Sequence, residues 1–170
     1  YYYNNCKCKA QLGQLVRSRV KTNNIILSER TSFVIDLVNN LLENRDRLKI
    51  LEVGCSSGAF LSELNDAIKL NGLADKVDLC GVDIDEESIQ LSVDQDLSLY
   101  ANSAESFART NEEAFDLILH FELLEHLGDP FTFMQAVYSM LNKGGYCHFH
   151  TPNANGFDNT AFGYNDFRPL

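Results

Sequence analysis

The sequence lacks any long apolar run. No stretch approaches the ~20 residues needed to cross a bilayer as a helix, and the start shows no basic-then-apolar leader. A cytoplasmic location, with no membrane partner, is the expectation. Basic residues are scarce: 14 Lys and Arg stand against 24 Asp and Glu, a net charge of -10. Such a surface repels phosphate backbones, so nucleic acid is disfavoured as a partner. The single basic stretch, Arg17-Ser18-Arg19-Val20-Lys21, is too weak to reverse this. Cysteines are few and odd in number, at five. Cys6-x-Cys8 is half of a zinc pattern with no second Cys/His pair beside it, and it reads as two unpaired thiols. Cys55, Cys80 and Cys147 fall in or beside apolar strands and read as reduced core thiols. No internal repeat is visible.

What is present fits one domain. The chain has 170 residues, 45% hydrophobic and 22% charged, enough for a single core. It starts at Tyr1 and stops at Leu170 just past a loop, so both ends read as cut and C-terminal strands are expected to be missing. Residues 1–24 are polar and irregular; residues 25–170 form the domain. Ser28 or Thr31 caps a helix to about Glu43, with Val34, Leu37, Val38, Leu41 and Leu42 at helical spacing.

Beyond it, apolar strands alternate with helices. Strands are predicted at Lys49–Val53, Val77–Val82, Leu97–Tyr100, Phe115–His120 and Tyr146–His150. Helices are predicted from Ala59 to Leu70, from an Asp85 cap to about Val93, and from Pro130 to Leu141. Lys143-Gly144-Gly145 closes the last. This alternation predicts an α/β fold: a doubly wound, mostly parallel sheet with helices on both faces.

The informative stretch is Leu51-Glu52-Val53-Gly54-Cys55-Ser56-Ser57-Gly58-Ala59-Phe60. Glycines at a strand end allow a tight turn and close approach to a ligand, and the next helix offers free N–H groups. A dinucleotide fingerprint would need glycine or alanine at 54, 56 and 59, and Ser56 breaks it. Glu52 stands two residues before the first glycine. Gly81-Val82-Asp83-Ile84-Asp85 follows, where Asp83 ends a strand and can accept ribose hydroxyls. Asp85 reads as a helix cap.

This acidic-x-Gly-x-x-x-Gly arrangement resembles motif I of the class I S-adenosylmethionine-dependent methyltransferases, where the middle residue is glycine, serine or alanine. The resemblance runs from about Ile50 to Asn153. It includes Asn102-Ser103-Ala104-Glu105, with Ser103 in place of the usual aspartate, then Leu124-Glu125-His126-Leu127 and Leu141-Asn142-Lys143-Gly144-Gly145. It implies strand order 3-2-1-4-5 and S-adenosylmethionine or S-adenosylhomocysteine as cofactor. The implied cofactor contacts are Glu52, Gly54, Cys55, Ser56, Gly58, Asp83, Ile84, Ser103, Ala104 and His120. His120 also reads as a satisfied core or cleft-wall histidine.

Glu122-Leu123-Leu124-Glu125-His126 follows the fourth strand. If helical, Glu122, Glu125 and His126 fall at i, i+3 and i+4 on one face. Glu-x-x-Glu-His resembles the metal site of small-RNA 2′-O-methyltransferases and of ubiquinone-pathway O-methyltransferases. A divalent metal on these three residues is the alternative; the reading adopted has none, with the three as catalytic residues and His126 as base or substrate contact. His148 and His150 share one face of the fifth strand. They are substitutes for a ligand, or polar cleft or core residues.

Methyl transfer needs alignment of the acceptor and, for a hydroxyl, removal of a proton. The Asn/Asp-Pro-Pro-aromatic motif of amino-methylating DNA enzymes is absent. Thr151-Pro152-Asn153-Ala154-Asn155-Gly156-Phe157 looks like a loop of surface-polysaccharide and small-metabolite methyltransferases, and Phe157, Phe162, Tyr164 and Phe167 can wall a pocket. The expectation is O-methylation of a small-molecule or sugar acceptor. The rivals are a non-catalytic S-adenosylmethionine-binding module and an NAD(P)- or nucleotide-sugar-dependent Rossmann enzyme.

Overall fold

The computed structural model describes residues 28–92, 94 and 96–153. The expectations for residues 1–24, Cys6-x-Cys8, the basic stretch and the aromatics from Phe157 to Phe167 lie outside the described residues.

Ser28 opens α1 (Glu29–Leu42), its Oγ accepting the N–H of Thr31 at 3.2 Å and so satisfying a first-turn donor. Val34, Val38 and Leu41 are buried as the spacing predicts, joined by Thr31 and Ile35; Leu37 and Leu42 are only partly buried. There follow β1 (Leu48–Val53), α2 (Ala59–Leu70), β2 (Val77–Asp83), α3 (Glu86–Gln90), β3 (Ser98–Ala101), α4 (Ala104–Ala108) and β4 (Phe115–Phe121). A 3₁₀ turn (Leu124–His126), α5 (Pro130–Met140) and β5 (Leu141–His150) complete the order.

The five strands form one sheet in the order β3-β2-β1-β4-β5, parallel at every pairing. Alternation along β1 divides the core. Leu48 and Ile50 pack with Val34, Val38, Leu64 and Ile68 of α1 and α2. Leu51 and Val53 pack with Phe107, Phe133 and Val137 of α4 and α5. Burial on both faces is why β1 and β4 read as near-continuous apolar runs. Asp85 and Asp129 cap α3 and α5 by accepting the N–H of Ser88 and Thr132.

Three segments differ from the sequence reading. α3 ends at Gln90, short of the expected Val93. α4 was not expected at all. Lys143-Gly144-Gly145 does not cap a helix: α5 ends at Met140, and β5 begins at once. Phe115 pairs with Leu141 but Leu117 with Tyr146, so residues 142–145 bulge from the ladder. Side chains hold the bulge: Arg45 Nη2 donates to the Gly144 carbonyl at 2.7 Å, and Asn142 donates to Asp116 at 3.1 Å.

Gly81 lies mid-way along β2, beside Glu52. A Cβ there would come within 2.6 Å of Cys55 Sγ and 2.7 Å of Leu61 Cδ1. Its bare backbone lets the turn after β1 settle onto β2. Gly81→Val should therefore destabilise the fold by about 1–3 kcal/mol through overpacking. The readout is a lower denaturant midpoint at unchanged slope; an unmoved midpoint would show that Cys55 and Leu61 can shift aside.

Candidate functional site

In this strand order the connections reverse direction between β1 and β4, and the crevice at the carboxyl ends of the strands is where open α/β sheets bind ligands. The turn from Gly54 to Gly58 crosses that crevice. Gly54, Ser56 and Gly58 have φ of 80°, 50° and 76°, the left-handed region that glycine enters at no steric cost; Ser56 enters it with a side chain. The N–H groups of Gly54 and Cys55 both donate to the Val82 carbonyl, at 2.8 and 3.3 Å. α2 starts at Gly58 with no side-chain cap, which leaves first-turn donors for a ligand or water.

Asp83 is built into this turn. Its Oδ2 accepts the Ser56 N–H at 2.7 Å and its Oδ1 the Asp85 N–H at 2.8 Å. Each carboxylate oxygen keeps a second acceptor position, so the group can also receive two hydroxyls. Ile84 beside it is 80% exposed, an apolar side chain open at the cleft.

Glu52 is the opposite case. It is 5% exposed, and its Oε2 has no hydrogen-bond partner among the described residues. Its pKa is pushed up to about 8, chiefly by burial; the Arg30 guanidinium works against this and the Asp83 carboxylate adds to it. A buried, unpaired acid costs stability unless something cationic or hydrogen-bonding meets it.

Arg30 was not singled out in the sequence. It stands at the start of α1 with its guanidinium 4.2 Å from the Phe121 ring centre and 5.9 Å from that of Phe60. Phe60, Phe121, His148 and Phe33 form a chain of ring contacts, so α1 reaches the ends of β4 and β5. An arginine in an N-terminal helical turn carries no local signal of this.

The other expected contacts divide. Cys55 is buried against Gly81, its thiol pushed above the ordinary range by burial first and then by Glu52 and Asp83; it offers a ligand only backbone. Ser103 caps α4 through the Ser106 N–H, at 3.1 Å, and Ala104 is buried in the core, so Ala104 also has only backbone to give. His120 is not on the cleft wall. It is fully buried, stacked on Phe149 at 4.9 Å and edge-on to Phe133 at 5.3 Å. Neither ring nitrogen has a partner among the described residues. Burial, with His148 second, lowers its pKa to about 4 against the pull of Glu125. Cys55, Cys80 and Cys147 are unpaired thiols, as read from the sequence.

The acidic–histidine segment is not a helical face. Glu122 takes φ 50°, and the 3₁₀ turn covers only Leu124–His126. Glu122 instead pairs with His150 Nδ1, Glu125 accepts from Thr151 Oγ1 at 2.9 Å, and His126 Nε2 lies 4.0 Å from Glu125 Oε1. Among the described residues no group of three His, Cys, Asp or Glu is placed to hold a metal ion. Leu123 joins this segment to the turn: a Cβ on Gly54 would meet its Cδ2 at 3.1 Å. A cavity of about 400 Å³ opens at the other end of the strands, by Lys49, Val77, Ser98 and Phe115. It does not reach the glycine turn.

The sequence profile of the methyltransferase domain family matches residues 26–168. The chain belongs to that family. Membership implies S-adenosylmethionine or S-adenosylhomocysteine as the cofactor. Among curated relatives, the ubiquinone biosynthesis O-methyltransferase of Aliivibrio fischeri is 30% identical over 127 residues, covering 69% of this chain and 51% of its own length. The Pseudomonas putida protein of the same name is 33% identical over 113 residues, 63% of this chain and 45% of its own. The chain thus spans about half the length of the curated relatives it matches. A solved S-adenosylmethionine-dependent methyltransferase from Archaeoglobus fulgidus shares the fold, with a TM-score of 0.55 at 20% identity over 82% of this chain and 62% of that one.

Proposed function

We propose that this methyltransferase domain binds S-adenosylmethionine across the Gly54–Gly58 turn and methylates a hydroxyl of a small molecule. The observation that carries the reading is the buried carboxyl of Glu52, one oxygen of which has no partner among the described residues, across the turn from Asp83. The residues fit the donor. Glu52 suits its cationic amino-acid end, Asp83 its ribose hydroxyls, and exposed Ile84 the face of its adenine. Arg30, beside Glu52, suits its carboxylate. When bound, the donor supplies a methyl group on a positively charged sulfur. The chain's own part is to hold that end still and to bring the acceptor in line with it.

Glu122, Glu125 and His126 follow β4 next to Leu123, which covers Gly54, and this supports their place on the acceptor side. A small-molecule acceptor is supported by the curated relatives, whose names state O-methylation in ubiquinone biosynthesis. Nothing described favours a sugar, since most of the Thr151–Phe157 loop lies outside the described residues. No described helix is long and apolar enough to cross a membrane.

The test is transfer of labelled methyl from S-adenosylmethionine to a panel of catechols and hydroxylated sugars. A methyl ether on a small-molecule hydroxyl is expected, with activity surviving EDTA. Loss with EDTA and return with Mg²⁺ would assign Glu122, Glu125 and His126 to a metal. Donor binding without turnover on any acceptor would leave a binding module.

A further inference from the structure

Glu52, Leu119 and His148 stand in one row across the sheet: Glu52 pairs with Leu119 on β4, and Leu119 with His148 on β5. Side chains alternate between faces along each strand, so paired residues share a face. Here it is the face covered by α1 and α2, where Ile50 and Leu119 pack. Neighbouring strands lie about 4.8 Å apart, which puts the His148 backbone roughly 10 Å from that of Glu52. Phe121, two residues past Leu119, presents its side chain to the same face.

A chain of rings starts at the glycine turn and runs over this row. Phe60 is the second residue of α2, directly after Gly58 and Ala59. Its ring meets that of Phe121 edge-on at 5.1 Å. Phe121 meets His148 at 6.0 Å, and His148 meets Phe33 of α1 at 4.7 Å. Arg30 links the chain to Glu52: its guanidinium covers the Phe121 ring at 4.2 Å, and its charge reaches the Glu52 carboxyl. The inner three rings are half-buried, whereas Phe33 is 52% exposed. A single exposed phenylalanine needs no explanation, but this one is the outer end of a ring chain whose inner end borders the turn.

We propose that this ring chain is the surface that recognises the methyl acceptor, and that Phe33 selects a flat aromatic hydroxyl compound over a saturated one such as a sugar; this rests on the reading above, with the donor's ammonium on Glu52. The ammonium and the transferred methyl belong to the same short amino-acid end of the donor. An acceptor held beside Glu52 on the same face is therefore within reach of that methyl. A flat ring can pack on Phe33 and His148 in the offset or edge-on geometries these side chains already use among themselves. A sugar carries hydroxyls around its whole ring, and each needs a partner once it leaves water. The four rings supply only the two nitrogens of His148 for that purpose. Phe33 thus positions the ring that bears the reacting hydroxyl and takes no part in the transfer itself.

The experiment compares wild type, Phe33→Ala, Phe33→Leu and Phe33→Tyr on catechol and on cis-cyclohexane-1,2-diol, its saturated counterpart. Binding to the chain loaded with S-adenosylhomocysteine is read by calorimetry, and KM and kcat by methyl transfer. Wild type should bind catechol about tenfold or more tightly than the diol. Phe33→Ala and Phe33→Leu should raise Kd and KM for catechol about tenfold, with native circular dichroism and with kcat and S-adenosylhomocysteine affinity within about threefold of wild type. Phe33→Leu keeps apolar bulk, so its affinity for the diol should change less than about threefold. Phe33→Tyr keeps the ring and should bind catechol as wild type does. Equal losses on catechol and diol, no loss in Phe33→Leu, or a loaded wild type that binds no catechol would each overturn the assignment while leaving the cofactor reading intact. Wild type that binds no S-adenosylhomocysteine would sink that reading instead.

Discussion

Asp83→Ala should weaken binding of S-adenosylhomocysteine about a hundredfold, or roughly 2.7 kcal/mol. Two effects add. The variant loses two charge-assisted hydrogen bonds to the ribose, each worth about 1.5–3 kcal/mol before water is counted. It also releases the Ser56 and Asp85 N–H groups, which Asp83 now holds at 2.7 and 2.8 Å, so the turn under the ligand loosens. Asp83→Asn should restore little, since its amide can accept at one oxygen but turns an NH₂ towards another N–H. Calorimetry on variants with native circular dichroism reads this. Unchanged affinity in a folded Asp83→Ala protein would place the ribose elsewhere.

Glu52 should make both stability and ligand binding depend on pH. Its pKa in the fold is near 8, against 4.5 for the free side chain, with burial the main cause. Between those values the native state holds a proton that the unfolded chain has lost, so stability should fall as pH rises through the window from about 4.5 to 8. Glu52→Gln, neutral at every pH, should flatten this slope and raise the unliganded Tm at pH 8 above wild type. Binding should move the other way. A ligand ammonium beside Glu52 favours the ionised carboxylate, so wild type at pH 7 should release up to one proton as S-adenosylhomocysteine binds. Calorimetry in two buffers of different ionisation enthalpy counts that proton. Glu52→Gln should release none and bind at least tenfold more weakly. Proton release that persists in Glu52→Gln would show that the ligand's charge meets another group.

The sheet and the left-handed turn after β1 were legible because their signals are local. β1 and β4 are buried on both faces and read as unbroken apolar runs. The Gly54–Gly58 turn needs left-handed backbone, and two of its three such residues are glycine. α4 was not legible: five residues are too few to show a period, and Ser103, read as a ligand contact, is its cap. β5 was read too short because Gly144-Gly145 after a helical pattern suggests a C-cap, whereas here they lie in a bulge. The acceptor side depends on contacts that spacing cannot reveal. Glu122 departs from helix at a residue type that rarely does so, and its partner His150 is 28 positions away. Arg30 meets Phe121, and its charge reaches Glu52, only because α1 folds back over the strand ends.

The central claim is that the Gly54–Gly58 turn is an S-adenosylmethionine site. Titration calorimetry of the chain with S-adenosylhomocysteine and, separately, with NAD tests it most directly. One S-adenosylhomocysteine site per chain, weakened in Asp83→Ala and with no heat from NAD, is the predicted result. Saturable binding of NAD by a folded chain that ignores S-adenosylhomocysteine would contradict it.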